Sequence, residues 1–275
     1  MTEPVVSTAP ANSGAPPALP GIRNTVATAM RLVWRQPRQT MLPLAVIEVP
    51  VTLAVALLTV TLYLTAFKDQ PVEAMQDAVT AGAGAPLFLF LATTAGQALF
   101  AQVARGAAIL SIAGVINHRP LPLTGALDPA FTRMGALLAL ALIVGAGIVL
   151  AFISIVGLVL LPYVAVRVAI CFEAMMLEGI SPWAAIKRSW VLTSGNVLRL
   201  LAIILLSALV IVGPLLVISI LGAIIGGGRT ARVLETGVYI FAQGVLVVPL
   251  VAFLTATTTV YYLTIKANQD ERRTA

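Results

Sequence analysis

The chain has 275 residues, of which 59% are hydrophobic and 10% are charged, and its formal net charge is +6. Soluble domains have about 45–50% apolar and about 25% charged residues, so this chain has too few polar side chains to cover a water-facing surface. The composition excludes a soluble globular enzyme, a disordered chain and a disulfide-rich secreted scaffold. It predicts an all-α, polytopic membrane protein, in which excess Lys and Arg retain loops in the cytoplasm rather than bind nucleic acid.

Six apolar segments are long enough to cross a bilayer, which takes about 20 residues. Residues 1–20 are rich in Pro and Ala and are predicted to form a disordered tail without a signal peptide. The third and fourth spans come from one apolar run, which we divide near Gly157 and Pro162 as a tight hairpin. The predicted spans of the single membrane domain, residues 21–266, are 41–67, 86–116, 135–157, 160–177, 197–225 and 237–265, followed by a short tail at 267–275.

The charged loops predict the orientation of these spans. Every second loop along the chain is the more basic one, which places the basic loops on one side of the membrane. The loop around Arg229 is the one exception. Because loops rich in Lys and Arg stay in the cytoplasm, we expect both termini to be cytoplasmic.

Two more polar segments are predicted to be amphipathic helices in the cytoplasmic membrane interface. Residues 22–36 place apolar side chains on one helical face and arginines on another. Residues 182–194 follow Ser181, which suits a helix N-cap, and end before Gly195, which suits a left-handed cap. The alternative for both is a helix on the soluble side, packed on the loops. The side chains expected to contact anionic lipid headgroups are Trp34, Arg35, Trp183, Lys187, Arg188 and Trp190.

Ionisable residues inside spans are the main candidates for a polar site between helices, because they are costly to bury in lipid. They are Glu48, Arg105, Arg167, Glu173 and Glu178. The alternative is structural pairing, such as Glu48 with Arg105, or Arg167 with an acid. A separation of five residues does not place Glu173 and Glu178 on one helical face, so they do not predict a coupled pair of carboxylates.

Catalytic signatures are missing from the sequence. His118 is the single histidine and Cys171 the single cysteine, so no HExxH motif or zinc-ligand spacing occurs. No catalytic, cofactor-binding or metal-binding residue is predicted. Small residues suited to close helix packing lie in the third predicted span, among them Gly145 and Gly147.

Residues 173–199 read EAMMLEGISPWAAIKRSWVLTSGNVLR. This stretch resembles the glycerophosphodiester phosphodiesterase membrane-domain superfamily, which includes the YciC-like bacterial integral membrane proteins. The matching elements are Glu178-Gly179, Ala185, Arg188-Ser189-Trp190 and Gly195. The resemblance implies about six helices and a bacterial inner-membrane location. Phosphodiesterases of that group have a separate catalytic barrel, and we expect none here, because the sequence ends about ten residues after the last predicted span.

These observations favour a non-enzymatic inner-membrane component that organises lipids or other membrane proteins. Its expected partners are anionic lipid headgroups and a membrane protein, and not nucleic acid. The alternative is a small transporter or flippase-like protein with a polar site between helices. An intramembrane enzyme acting on lipid is the third and weakest hypothesis.

Overall fold

The computed structural model describes residues 21–66, 84–207, 209 and 229–274, and all regular structure in these residues is helical. The predicted N-terminal tail and the second half of the fifth predicted span lie outside the described residues. The helices in chain order are α1 (Ile22–Arg35), α2 (Pro37–Thr40), α3 (Leu42–Ala66), α4 (Gly84–Ile116), α5 (Leu123–Thr132), α6 (Met134–Ile153), α7 (Ile155–Val168), α8 (Cys171–Glu178), α9 (Pro182–Thr193), α10 (Val197–Ser207) and α11 (Arg229–Thr274).

Five helical segments are long and apolar enough to cross a membrane, so the chain is a polytopic membrane protein. They lie in α3, α4, α6, the consecutive helices α7 and α8, and α11. A sixth is reached if α9 and α10 count as one span, although their axes are bent by 106° at a short break. The structure therefore supports five spans, or six with this bent pair.

The hairpin turn was predicted near Gly157 and Pro162, and the structure corrects its position. Helix α6 ends at Ile153, Ser154 has an extended conformation, and α7 begins at Ile155. Both Gly157 and Pro162 therefore lie inside α7. Membrane helices tolerate proline and glycine, because neighbouring groups satisfy the freed backbone atoms, so these residues were poor markers of the turn. Helices α6 and α7 pack against each other, as a hairpin requires.

Two further boundaries differ from the prediction. Helix α11 begins at Arg229 and runs to Thr274, so the described part of the predicted C-terminal tail continues the last helix. Helix α5 lies in the predicted loop between the second and third spans and buries Ala126 and Ala130, one turn apart. An apolar face of two alanines is too short to give a periodic signal in the sequence.

The core forms where α4 packs against α3, α6, α8 and α11. Small buried side chains such as Ala104 and Ala108 allow the helices to approach closely. Helices α3 and α11 also approach closely, because a Cβ atom on Gly244 would overlap the side chain of Thr52. Gly106 similarly fits against Leu137 of α6 and Met176 of α8. This arrangement places the short helix α8 between α4 and α11.

Candidate functional site

Helix α8 carries two carboxylates that both bond to α11. Thr258 donates its hydroxyl hydrogen to Glu173 Oε1, and the Tyr262 hydroxyl donates to Glu178 Oε1 at 2.7 Å. Thr258 and Tyr262 are four residues apart, which places them on one face of α11. The later residue of α8 bonds to the later residue of α11, so the two helices run parallel. We call this contact region the α8–α11 seam.

The first carboxylate of the seam is fully buried. The side chain of Glu173 is 0% exposed and its Oε1 atom lies 3.5 Å from Nη2 of Arg105, whose side chain is 24% exposed. The Arg105 guanidinium also lies over the Phe172 ring, 4.6 Å from its centroid. The structure therefore pairs Arg105 with Glu173, rather than with Glu48 as one structural alternative supposed.

Two buried oxygens near this pair have no hydrogen-bond partner within the described residues. They are Glu173 Oε2 and Gln102 Oε1. Gly106 of α4 lies against Met176 of α8, so Gln102, one turn earlier in α4, is at the level of Glu173. Buried polar atoms without a partner are rare and need an explanation, such as a bound water or solute.

The second carboxylate of the seam is surrounded by donors. Arg188 donates from Nε and Nη2 to the two carboxylate oxygens of Glu178 over distances of 3.1 to 3.2 Å. Lys266 Nζ lies 3.4 Å from Oε1, which also accepts the Tyr262 bond. Glu178 therefore joins α8, α9 and α11, and Arg188, a predicted lipid contact, points inward to this cluster.

Arg167 has a different environment at the corner between α7 and α9. Its Nε and Nη2 atoms donate to the Tyr163 hydroxyl at 3.0 and 2.6 Å. Its Nη1 atom donates to the Trp190 carbonyl at 2.9 Å and to Ser194 Oγ at 2.8 Å. Every one of these partners is uncharged. The expected structural pairing of Arg167 with an acid is not seen within the described residues. We call this set of residues the Arg167 corner.

The predicted interfacial segments are both helical, and each has one buried and one exposed face. Helix α1 packs on α11 and buries Thr25, Ala29 and Val33. Helix α9 packs on α8, α7 and α6 and buries Ala185, Ser189, Leu192 and Thr193. The outward faces carry all three tryptophans of the chain, which are 73%, 59% and 40% exposed at Trp34, Trp183 and Trp190. Exposed cations lie on the same helices, namely Arg31, Arg35 and Lys187, and Arg38 follows in α2.

The residues singled out in 173–199 each have a local structural role. Gly179 and Gly195 have positive φ angles of 71° and 82°, which glycine adopts without strain. Ala185 is fully buried, Arg188 bonds to Glu178, and Ser189 Oγ donates to the Arg167 carbonyl at 2.6 Å. Ser181 occupies the N-cap position of α9, although its side chain makes no capping bond. The stretch therefore builds the turn and packing of α9.

The remaining sequence candidate is Glu48 in α3. It is partly exposed and, among the described residues, has neither a hydrogen bond nor an ion pair. It therefore stands apart from the seam and from the Arg167 corner.

Sequence reasoning did not single out several residues that complete these sites. Arg133, in the predicted loop between the second and third spans, donates from Nη1 to the Met175 and Met176 carbonyls at the end of α8. Four more residues supply hydrogen-bond donors or aromatic rings to the buried and half-buried charges, namely Tyr163, Thr258, Tyr262 and Lys266. Polar side chains four apart in the apolar segment 255–262 were the available signal for two of them.

Within the described residues, no group of three His, Cys, Asp or Glu side chains comes together as metal ligands. No protein-family model, curated protein or solved structure matches this chain. The resemblance of residues 173–199 to the glycerophosphodiester phosphodiesterase membrane domains stays a prediction.

Proposed function

We propose that this protein is a non-enzymatic component of a bacterial inner membrane that organises anionic lipids around the outward faces of α1 and α9, with both termini in the cytoplasm. One observation carries the proposal. All three tryptophans of the chain are exposed on these two helices, beside exposed cations, while the opposite helix faces are buried against the membrane domain.

The physical chemistry of the two faces fits a lipid headgroup layer. The tryptophan ring is apolar with one polar N–H group, and it concentrates at membrane–water interfaces. A Lys or Arg near an anionic membrane surface contributes about 1 kcal/mol of attraction. In α9, the Lys187 ammonium lies over the Trp183 ring, 5.9 Å from its centroid, so cation and ring form one surface. Such a surface favours anionic over zwitterionic neighbours in the lipid shell.

Tryptophan fluorescence provides the test, because every tryptophan belongs to the proposed lipid-binding faces. The protein is reconstituted into nanodiscs that contain phosphatidylcholine with a minor fraction of brominated lipid. Brominated phosphatidylglycerol should quench the fluorescence more strongly than the same fraction of brominated phosphatidylcholine. The difference should shrink at high salt, because ions screen exposed charges within about 10 Å at 0.1 M.

The double variant Arg35→Gln/Lys187→Gln should reduce the preference for the brominated anionic lipid. The matched control is Arg119→Gln, which removes an exposed loop cation outside α1 and α9 and should leave the preference unchanged. Equal quenching by the two brominated lipids in the wild-type protein would contradict the proposal. Tryptophans beyond the reach of any brominated chain would instead favour a soluble-side position for both helices.

A small transporter is the second candidate function, and a separate observation favours it. Glu173 Oε2 and Gln102 Oε1 are buried oxygens without a partner in the described residues, and α9 and α10 form a sharply bent pair. Transporters commonly bind solutes at discontinuous helices near buried polar groups. In proteoliposomes that carry a flux of a cationic or polar solute, Glu173→Gln should abolish this flux. Glu178→Gln should preserve it. If no solute moves with or without an ion gradient, this candidate fails.

A further inference from the structure

The charge of Arg167 differs from those of Arg105, Arg188 and Lys266, because within the described residues only neutral groups hold it. Arg105 lies beside Glu173, and both Arg188 and Lys266 lie beside Glu178. Arg167 bonds to a phenol, a backbone carbonyl and a serine hydroxyl. Neutral acceptors orient a guanidinium without cancelling its charge. The corner therefore keeps a net positive charge within the span that runs from Leu160 to Glu178.

The guanidinium is held in one orientation and keeps some capacity to donate. Arginine has five N–H donors. The four bonds described above engage Nε once, Nη1 twice and Nη2 once, which leaves one Nη2 hydrogen for another acceptor. Ser189 also fixes the backbone of Arg167 through its carbonyl. An acceptor that arrives at this site meets a preorganised donor, which lowers the entropic cost of binding.

Two aromatic rings form the walls of the corner. The guanidinium carbon of Arg167 lies 5.0 Å from the Tyr163 ring centroid and 5.1 Å from that of Trp190. The two rings meet edge to face, with centroids 6.1 Å apart and an interplanar angle of 86°. Tyr163 and Trp190 are each about two-fifths exposed, so the corner opens at the surface of the protein. An exposed cation, Lys187, lies one turn before Trp190 in α9.

We propose that the Arg167 corner binds the phosphate group of one phospholipid. The corner supplies a fixed, unneutralised guanidinium, which pairs well with oxyanions, and phosphate is the oxyanion that a bilayer presents at high density. The exposed rings contact the glycerol and upper acyl chains, while the guanidinium binds the phosphate. This inference deepens the proposed lipid-organising function and rests on it. It differs in predicting one stoichiometric lipid, in addition to a general enrichment of anionic lipid.

Native mass spectrometry of the full-length protein, reconstituted with phosphatidylglycerol and phosphatidylcholine, tests the proposal. The wild-type protein should retain one phospholipid at collision energies that remove the other lipids. Loss of a charged hydrogen-bond donor should lower this retention about tenfold or more in Arg167→Gln. Arg119→Gln should retain the lipid as the wild type does. Undiminished retention by folded Arg167→Gln overturns the proposal.

A second variant, a competitor and the brominated-lipid assay complete the test. If Arg167→Gln fails to fold, Tyr163→Phe removes the hydroxyl that orients Arg167 and keeps the ring, so it should weaken retention, and unchanged retention overturns the proposal. Inorganic phosphate is added as a competitor. If it displaces the lipid from the wild type and does not bind to Arg167→Gln, the corner binds free phosphate through the same guanidinium. If Arg167→Gln loses the tight lipid but keeps the brominated-lipid preference, the corner and the general function are separable. If Arg167→Gln keeps the tight lipid while the wild type shows the brominated-lipid preference, this inference is overturned and the proposed function stands.

Discussion

The α8–α11 seam and the Arg167 corner lie on consecutive helices and treat charge in opposite ways. In the seam, Glu173 and Glu178 each meet at least one cation and one hydroxyl. In the corner, Arg167 meets only neutral groups among the residues that the structure describes. A charge that is paired inside the protein mainly contributes to structure, because removal of one partner leaves the other uncompensated. A charge without an internal counterion is available to a ligand. Mutations in the two regions should therefore affect different properties.

The largest effect on stability is expected from Glu173→Ala. The Arg105 guanidinium would lose its carboxylate inside the membrane domain, which should cost about 3–5 kcal/mol of unfolding free energy. Steric trapping or reversible unfolding in detergent mixtures measures this cost. The double variant Glu173→Leu/Arg105→Met should recover most of the loss, because a well-packed apolar pair replaces the ion pair. A cost below about 1 kcal/mol would show that the pair is not structural.

Glu178→Gln should have the next largest effect, since it removes the charge that Arg188 and Lys266 share. Hydrogen bonds to charged groups contribute about 1.5–3 kcal/mol, and the partial exposure of Glu178 places the expected loss at the lower end. Tyr262→Phe deletes one bond of the same cluster and should cost less. The same unfolding assay ranks the variants. Equal losses for both would contradict a central role for the carboxylate.

Replacement of the glycine at the end of each of two helices compares the two regions again. Gly179 ends α8 in the seam, and Gly195 follows α9 near the corner, both with positive φ. Alanine at either position should cost about 1–2 kcal/mol through backbone strain. A Cβ atom on Gly179 would also lie 3.0 Å from Nη2 of Arg133, whereas that of Gly195 meets open space. Gly179→Ala should therefore destabilise the protein more than Gly195→Ala, and the opposite order would argue against the Arg133 contact with α8.

The smallest effect on stability is expected from Arg167→Gln. In a detergent without phosphate groups, the loss of its bonds is offset by the removal of an unneutralised charge, so the unfolding free energy should change by about 1 kcal/mol or less. A loss as large as that of Glu173→Ala would mean that Arg167 is a structural charge after all. The unfolding assay used for the seam variants makes this comparison directly.

The sequence predicted much of the helix layout, because long apolar runs and glycine or serine at helix ends are local signals. The left-handed cap at Gly195 and the helix after Ser181 are examples. The division between α6 and α7 was placed several residues late, because Pro162 is a strong helix breaker in water and a tolerated residue in membrane helices. The glycines that permit close packing were Gly106 and Gly244, whereas a Cβ atom on Gly145 or Gly147 meets nothing within 4 Å.

Charge partners were harder to predict than helices. Helical periodicity assigns a residue to a face but does not identify the helix that it meets. Thr258 reaches Glu173 across 85 residues of sequence, and no local pattern links the two. The neutral environment of Arg167 depends on α9 folding back along α7, which follows from the turn at Gly179 and the burial of Ala185 and Ser189. The partners of the five intramembrane candidates required the three-dimensional structure.

The most direct test of this account compares the unfolding free energy in phosphatidylglycerol and phosphatidylcholine bilayers. A ligand that binds only the folded state stabilises it in proportion to the logarithm of its concentration relative to its dissociation constant. We predict that phosphatidylglycerol stabilises the wild type and Arg119→Gln equally and stabilises Arg167→Gln less, since the faces of α1 and α9 still attract anionic lipid in that variant. Equal stabilisation of all three proteins would contradict the claim that the unpaired charge at Arg167 binds lipid.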